Sequence, residues 1–172
     1  PADEAEFIHK IMGKLAEYKQ VDVTRVFGVG MSNGAGLAHD LAVRTNIFLG
    51  ICAYTTALIH GRELPGENRN VSIFQVMGMK DEVVPYKGGP GLIGHNFMSA
   101  EKSVALWGKH NGCSSKPNFP TASNGDSRIE YTGCSDSTRV LHFGIAEGGH
   151  DIPSELDGQD TLKANWEFFK YL

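Results

Sequence analysis

The fold of this chain is decided by the stretch RVFGVGMSNGAGLAHDLAV, which spans residues 25–43. Its first part, Arg25 to Gly30, is a short β-branched and aromatic run that ends in glycine, which is typical of a strand before a tight turn. Its second part, residues 32–43, is rich in Ala, Leu and Gly, a composition that indicates a helix. The stretch therefore predicts a strand, a sharp turn at Ser32 and a helix in succession.

The same alternation of strand and helix continues in both directions from this stretch. Short and almost uniformly apolar runs predict further strands at residues 47–53, 71–77 and 139–145, and helical repeats predict helices at residues 3–19, 99–110 and 160–171. Strands that are apolar throughout are covered on both faces, as in a parallel sheet. Two irregular stretches rich in Gly, Pro, Asn and Ser occupy residues 57–70 and 111–128. We therefore predict an α/β fold, with a mostly parallel sheet and helices on both of its faces.

Length and composition limit what the chain can be. Its 172 residues fit one domain of ~100 to 200 residues, and we predict a single domain over residues 1–172. Sixteen basic and twenty acidic residues are interspersed and give a net charge of -4, which argues against binding to nucleic acid or to an anionic membrane. No apolar run approaches the ~20 residues that span a bilayer.

The first residues have the character of a helix that is already under way. There is no initiator Met and no visible signal peptide, and Asp3, Glu4 and Glu6 are typical of the first turn of an amphipathic helix. We expect that further residues precede this segment in the native protein.

The turn Gly30-Met31-Ser32-Asn33-Gly34 matches the pattern G-x-S-x-G. Such a turn strains the backbone of the serine, and we expect Gly30 and Gly34 to supply the space that it needs. The serine hydroxyl would then stand above the end of the strand, and the N–H of Asn33 would face a developing oxyanion. On the motif alone, Ser32 can equally be an N-cap of the helix that follows.

A serine nucleophile requires a base and a carboxylate, which in this fold class follow in the order serine, acid, histidine. The segment GMKDEVVPY, residues 78–86, places Asp81 directly after a predicted strand. An ordinary turn aspartate is the simpler interpretation of Asp81, and Glu82 competes for the same role. After the last predicted strand, Glu147-Gly148-Gly149 leads into His150, where the base is needed.

The other six histidines have simpler interpretations on helix faces, in loops or in a strand. They are His9, His39, His60, His95, His110 and His142. Only His150 follows the final predicted strand in a glycine loop. Because Ser32, Asp81 and His150 occur in the required order and each follows a predicted strand, we predict that they form a catalytic triad.

The three cysteines occur in two different settings. Cys113 and Cys134 lie in polar, glycine-containing sequence, whereas Cys52 lies in an apolar run. A disulfide between Cys113 and Cys134, with Cys52 buried and free, fits this distribution. Two free thiols in a cytosolic protein fit it as well.

Three segments of the chain resemble the polyhydroxybutyrate depolymerase and feruloyl esterase group of α/β hydrolases. They are GVGMSNG at residues 28–34, GMKDEVVPY at residues 78–86, which is similar to the family pattern G-x-x-D-x-x-V-P-Y, and EGGH at residues 147–150. The resemblance covers most of the chain and implies a three-layer α/β-hydrolase fold.

The activity that this resemblance implies is hydrolysis of a small ester or a polyester. Ser32 would attack the ester carbonyl, His150 held by Asp81 would relay the proton, and water would hydrolyse the acyl-enzyme. The resemblance implies no metal and no organic cofactor.

Two weaker similarities concern the cysteines. The sequences that lead into Cys113 from Trp107 and into Cys134 from Tyr131 resemble family segments whose cysteines are often disulfide-bonded. This resemblance supports the pairing of Cys113 with Cys134, and with it a secreted or periplasmic location.

The chain departs from the family pattern at its N-terminal side. Family members carry earlier strands and a loop that gives a second oxyanion donor, and losing such a donor costs on the order of 100 to 1,000-fold in turnover. The strand from Arg25 to Gly30 would also keep an unpaired edge. We expect an upstream segment of the same protein or a second copy to cover that edge, unless the chain is a reduced hydrolase.

Two other functions fit the same residues. The chain can be a catalytically impaired binding or assembly module, or it can transfer acyl groups to another acceptor, because fold and triad do not determine the scissile bond. The aromatic residues are equally open: they can line a substrate pocket, although such residues more often belong to a core. The candidates for the pocket are Tyr86, Phe97, Trp107, Phe119 and Phe143.

Overall fold

The computed structural model describes residues 3–61, 64, 69–92, 94–114, 117 and 123–172. The helices are α1 (Glu4–Leu15), α2 (Asn33–Arg44), α3 (Ala100–His110) and α4 (Thr161–Phe169). The strands are β1 (Phe27–Met31), β2 (Gly50–Tyr54), β3 (Ser72–Gly78), β4 (Gly89–Pro90), β5 (Asn96–Phe97), β6 (Ser127–Tyr131), β7 (Val140–Ile145), β8 (Glu155–Leu156) and β9 (Gln159–Asp160). A single 3₁₀ turn, Ser135–Ser137, precedes β7 within these residues.

Five of the strands form the central sheet, in the order β1-β2-β3-β7-β6. β1, β2, β3 and β7 run parallel, and β6 is antiparallel to β7. Every residue of β2 and β3 is buried, which agrees with their mostly apolar sequence. Ser72 and Gln75 of β3 are buried polar residues. The prediction of an α/β fold with a mostly parallel sheet is confirmed.

Helices pack on both faces of this sheet. On one face, residues of α2 and α3 such as Leu41 and Trp107 join Ile51 and Ile73 in a common core. On the other face, Phe168 of α4 packs with the next residues of the same two strands, Cys52 and Phe74. The alternation follows from strand geometry, because successive side chains point to opposite faces.

The carboxyl ends of the parallel strands lie at one edge of the sheet. Met31 at the end of β1 is paired with Tyr54 at the end of β2, and Gly78 at the end of β3 is paired with Ile145 at the end of β7. The segments that carry Ser32, Asp81 and His150 follow these strand ends. Strand register therefore brings the three segments to the same edge of the molecule.

The structure corrects some of the predicted elements. The stretch predicted to be irregular, 111–128, runs into β6, whose sequence Ser-Arg-Ile-Glu-Tyr buries only Ile129. Alternating charged residues made this edge strand difficult to recognise. The first helix ends at Leu15, not at residue 19, and the two-residue strands of the small hairpins β4–β5 and β8–β9 were not predicted.

β1 lies at the edge of the sheet. Among the described residues it pairs with β2 alone, and its Val29 is 60% exposed. This position agrees with the unpaired edge expected for residues 25–30. No helix in the described part of the chain is long and apolar enough to cross a membrane.

Candidate active site

Ser32 lies in the turn between β1 and α2, with a strained backbone. Its φ of 52° and ψ of -120° fall in a region that residues other than glycine rarely adopt. Its side chain makes no capping hydrogen bond to α2 in the described part of the chain, so Ser32 does not act as an ordinary N-cap. The hydroxyl oxygen lies instead 2.9 Å from Nε2 of His150.

The two glycines of the turn have different roles. A Cβ atom on Gly30 would lie 2.4 to 2.6 Å from backbone atoms of Gly34 and Ala35, so only glycine fits at position 30. A Cβ atom on Gly34 would meet no described atom within 4 Å outside its own helix. The prediction that Gly34 provides space by lacking a side chain is wrong, because the close approach involves its backbone.

Asn33 is the first residue of α2. The first N–H groups of a helix have no carbonyl partner within the helix and carry its positive dipole end. The N–H of Gly36 donates to the carbonyl of Ser32 at 2.9 Å, so the helix starts directly after the serine. A role of the Asn33 N–H in binding an oxyanion stays a prediction. Met31, the other residue of the motif next to Ser32, is partly exposed.

Asp81 is buried in the turn after β3 and uses both of its carboxylate oxygens. Oδ1 accepts hydrogen bonds from the N–H groups of Val83 at 2.8 Å and Val84 at 2.9 Å. Oδ2 lies 2.8 Å from Nδ1 of His150. The residue is thus both the turn aspartate of the simpler interpretation and the partner of the histidine, while Glu82 is exposed.

Gly78 explains why the segments of Asp81 and His150 meet. A Cβ atom on Gly78 would lie 2.3 Å from the carbonyl oxygens of Gly148 and Gly149. The histidine loop therefore passes directly across the end of β3. The N–H of Lys80 donates to the carbonyl of Gly148 at 2.9 Å, and the Lys80 ammonium pairs with Glu147. Gly78 belongs to the segment GMKDEVVPY, but this contact was not predicted from the sequence.

The three side chains form one continuous series of hydrogen bonds. A carboxylate can only accept, so Nδ1–H of His150 donates to Asp81. Nε2 of the same ring then carries a lone pair and accepts from the hydroxyl of Ser32. This arrangement can remove the serine proton as the oxygen attacks an electrophile, and it can stabilise the imidazolium that results.

A second polar network, buried behind the acid segment, was not predicted. The amide Nε2–H of Gln75 donates to Nδ1 of His142 at 3.2 Å, and the hydroxyl oxygen of Tyr86 lies 3.0 Å from Nε2 of the same ring. Burial lowers the pKa of His142 to about 3, so the ring is neutral and its Nε2–H donates to Tyr86. The network joins the end of the segment that carries Asp81 to β3 and β7.

A cleft of about 420 Å³ opens beside Ser32. Its apolar wall is formed by Leu37, Ile59 and Phe97, and polar side chains complete it. The polar residues that line it are Glu4, Asn33, Asp40, Thr56 and His95. The cleft therefore offers apolar surface next to the hydroxyl of Ser32.

Most of the aromatic candidates belong to the core. Phe97 alone among the described ones also borders the cleft. Tyr86, Trp107 and Phe143 are buried and do not line it, which agrees with the expectation that such residues more often belong to a core. Phe119 lies outside the described residues.

Cys113 and Cys134 form a disulfide, and Cys52 is free and buried. The pairing predicted from the sequence and the family resemblance is confirmed. The bond joins the end of α3 to the segment after β6. No group of three or more His, Cys, Asp or Glu side chains that could hold a metal ion occurs among the described residues.

No protein-family model matches the chain. Over 97% of its length, the chain is 30% identical to the probable feruloyl esterase C of Aspergillus niger. Over the same share of its length, it is 27% identical to the protein of the same name from Aspergillus clavatus. The similarity supports an esterase-like family. The chain spans 57% of the length of each of these relatives, which is less than two thirds.

Proposed function

We propose that this protein is a serine carboxylic ester hydrolase of the α/β-hydrolase type. Ser32 is the nucleophile, His150 the general base and Asp81 the acid that orients it. The observation that carries the proposal is the series of hydrogen bonds from the Ser32 hydroxyl through His150 to Asp81. The similarity to two probable feruloyl esterases supports the same conclusion.

The mechanism begins when the Ser32 oxygen attacks the ester carbonyl and its proton moves to Nε2 of His150. The carbonyl oxygen becomes an oxyanion, which the N–H of Asn33 stabilises at the start of α2. The imidazolium is stabilised by the carboxylate of Asp81 at 2.8 Å and then protonates the departing alkoxide. The products of this half-reaction are an alcohol and an acyl group on Ser32.

Water completes the reaction by the same route in reverse. His150 accepts a proton from the water molecule as its oxygen attacks the acyl-enzyme carbonyl. The second tetrahedral intermediate collapses, the proton returns to the Ser32 oxygen, and a carboxylic acid leaves. Every proton transfer in this cycle uses Nε2 of His150, while Nδ1 stays bound to Asp81.

The substrate we propose is a small ester or a polyester with an apolar or aromatic part next to the scissile carbonyl. Leu37, Ile59 and Phe97 give the cleft beside Ser32 an apolar wall that fits such a group. The names of the two relatives specify feruloyl esters, which belong to this class of substrate. Secretion or a periplasmic location is part of the proposal, supported by the disulfide between Cys113 and Cys134.

A second candidate function is a hydrolase-fold binding or assembly module that hydrolyses esters poorly. It is favoured by the edge position of β1 among the described strands. In either case we propose that another strand, from a preceding segment of the same protein or from a second copy, pairs with β1, because an exposed edge offers unpaired N–H and C=O groups.

The decisive experiment compares the wild type with Ser32→Ala on p-nitrophenyl acetate, p-nitrophenyl butyrate and methyl ferulate. We expect turnover to fall at least 1,000-fold in this variant, as for other nucleophile deletions. Ser154→Ala, in a serine that follows the histidine loop, serves as the matched control and should keep full activity. Equal rates in the wild type and Ser32→Ala would remove Ser32 from the mechanism.

A further inference from the structure

Thr55 is the residue that follows β2, and it lies beside Ser32. Met31 and Tyr54 are paired in the sheet, so Ser32 and Thr55 are the next residues of two neighbouring strands. The backbone N–H of Ser32 donates to the carbonyl of Tyr54 at 3.0 Å and also to the hydroxyl oxygen of Thr55 at 3.2 Å. The amide of the candidate nucleophile is therefore shared between a backbone acceptor and a side-chain acceptor.

The backbone of Thr55 is strained. Its φ of 58° lies in the left-handed region, which is costly for a β-branched residue and which glycine or asparagine would adopt more easily. The residue is 1% exposed, and its own N–H donates to the carbonyl of Val76 at 2.8 Å. The neighbouring strand thus holds Thr55 in a conformation that its side chain disfavours.

Strain of this kind points to a role for the side chain when a less strained residue would fit. In the described part of the chain, the hydrogen-bond partner of the Thr55 hydroxyl oxygen is the N–H of Ser32. That contact acts on the strained turn of the nucleophile, where a rotation of the peptide before Ser32 would move its hydroxyl away from His150. A second acceptor on the same N–H opposes that rotation.

We propose that Thr55 is a positioning residue for Ser32. Its hydroxyl oxygen holds the amide of the nucleophile, and through it the orientation in which the Ser32 hydroxyl meets Nε2 of His150. The proposal rests on the function proposed above. Thr55 does not line the cleft beside Ser32, so we expect its effect to be on the rate of acylation and not on the affinity for the ester.

Three substitutions separate this role from a merely structural one. Thr55→Val keeps the shape and the β-branch but removes the acceptor, and it leaves the Ser32 amide bonded to Tyr54, so the variant should fold. Thr55→Ser keeps the hydroxyl. Thr55→Gly removes the hydroxyl and relieves the backbone strain. A structural role predicts that activity follows stability in this series, whereas the positioning role predicts that activity follows the hydroxyl.

The experiment uses mass spectrometry to measure the rate at which a fluorophosphonate labels Ser32. It also measures kcat and KM for p-nitrophenyl butyrate, and the melting temperature of each variant. We expect Thr55→Val and Thr55→Gly to lower the labelling rate and kcat about five- to tenfold with KM unchanged, the size of effect of one neutral hydrogen bond. Thr55→Ser should stay within twofold of the wild type. Thr55→Gly should lose activity without a matching loss in melting temperature.

Thr45→Val is the matched control. Thr45 is a buried threonine at the far end of α2 whose hydroxyl donates to the carbonyl of Leu41, so this variant loses a buried hydroxyl away from the turn. Its melting temperature should fall while the labelling rate stays unchanged. The inference is overturned if Thr55→Val is labelled as fast as the wild type, or if Thr55→Ser is as slow as Thr55→Val. In both cases the wild type is labelled, so the proposed function stands. If wild-type Ser32 is not labelled at all, the proposed function itself fails and the inference falls with it.

Discussion

Gly30 and Gly34 flank Ser32 at equal distances along the chain, yet the structure gives them opposite tolerances for a side chain. A methyl group on Gly30 would enter the backbone of Gly34, with 2.4 Å between Cβ and the carbonyl carbon. Backbone atoms cannot move aside as a flexible side chain can. The same methyl group on Gly34 meets open space outside its own helix among the described residues.

We therefore expect Gly30→Ala to lower the free energy of unfolding by about 1 to 3 kcal/mol or more, the cost of forcing atoms into a filled site. Gly34→Ala should leave stability unchanged or raise it by up to about 1 kcal/mol, because alanine is the better helix former. Urea denaturation of both variants beside the wild type measures the difference. Equal unfolding midpoints for the two variants would show that the turn does not depend on the missing Cβ of Gly30.

The proposed base makes a further prediction at the residue scale. In the proposed mechanism the imidazole of His150 takes the serine proton, so hydrolysis should be lost in His150→Ala. His110→Gln is the control, since His110 lies at the end of α3 and contacts the carbonyl of Arg69. Activity retained in His150→Ala would contradict the assignment.

At the scale of elements, the disulfide ties two parts of the chain that the sheet does not connect directly. It joins Cys113, after α3, to Cys134, after β6, across a separation of 21 residues. Closing a loop of this length removes conformational freedom from the unfolded chain and contributes about 3 kcal/mol. Asn111 helps to anchor the same region, because its side chain donates to the carbonyl of Val71 and accepts from the N–H of that residue.

We expect the double variant Cys113→Ser, Cys134→Ser to lose about 3 kcal/mol in the free energy of unfolding. Reductant should destabilise the wild type by a similar amount and leave the double variant unchanged, which provides the internal control. Intact mass after reduction and alkylation should show two newly available thiols. No change in mass upon reduction would mean that the two cysteines are free.

At the scale of the whole molecule, two histidines are buried as neutral groups, His39 in α2 and His142 in β7. Desolvation lowers the pKa of His39 to about 4 and that of His142 to about 3. Both values lie below the ~6.5 of an unfolded histidine, so in acid the unfolded chain binds protons that the folded chain does not. Their contribution to stability is complete above pH ~6.5 and is lost as the pH falls towards 4 and 3.

The free energy of unfolding should therefore decrease below pH ~6.5, with a slope of about 1.4 kcal/mol per pH unit for each of the two histidines. His142→Gln retains a polar side chain between Gln75 and Tyr86 and should remove one histidine's share of that slope. The exposed His95, replaced by Gln, should leave the slope unchanged. Urea denaturation at several pH values between 4 and 7 measures the slope of the free energy of unfolding against pH. Equal slopes in His142→Gln and the wild type would contradict the pKa that burial gives to His142.

Much of the fold and the candidate site followed from local sequence patterns. Almost uniformly apolar runs located β2, β3 and β7 to within a few residues, because strands covered on both faces are mostly apolar. The order of Ser32, Asp81 and His150, each after a predicted strand, was sufficient to group them at one edge of the sheet. The G-x-S-x-G motif, the order of residues expected in this fold class and the rules of parallel sheets were enough for this prediction.

Other features depend on contacts between residues that are distant in the chain. The network from Gln75 to His142 and Tyr86 joins residues 67 and 56 positions apart, and the passage of the histidine loop over Gly78 depends on the register of β3 with β7. The hydroxyl of Thr55 meets the Ser32 amide only because β1 and β2 end level with each other. The sequence by itself determined which residues are the candidates for the chemistry and in what order, since those patterns are local. Only the tertiary structure decided how they are held, because register and side-chain direction are properties of the packed strands together.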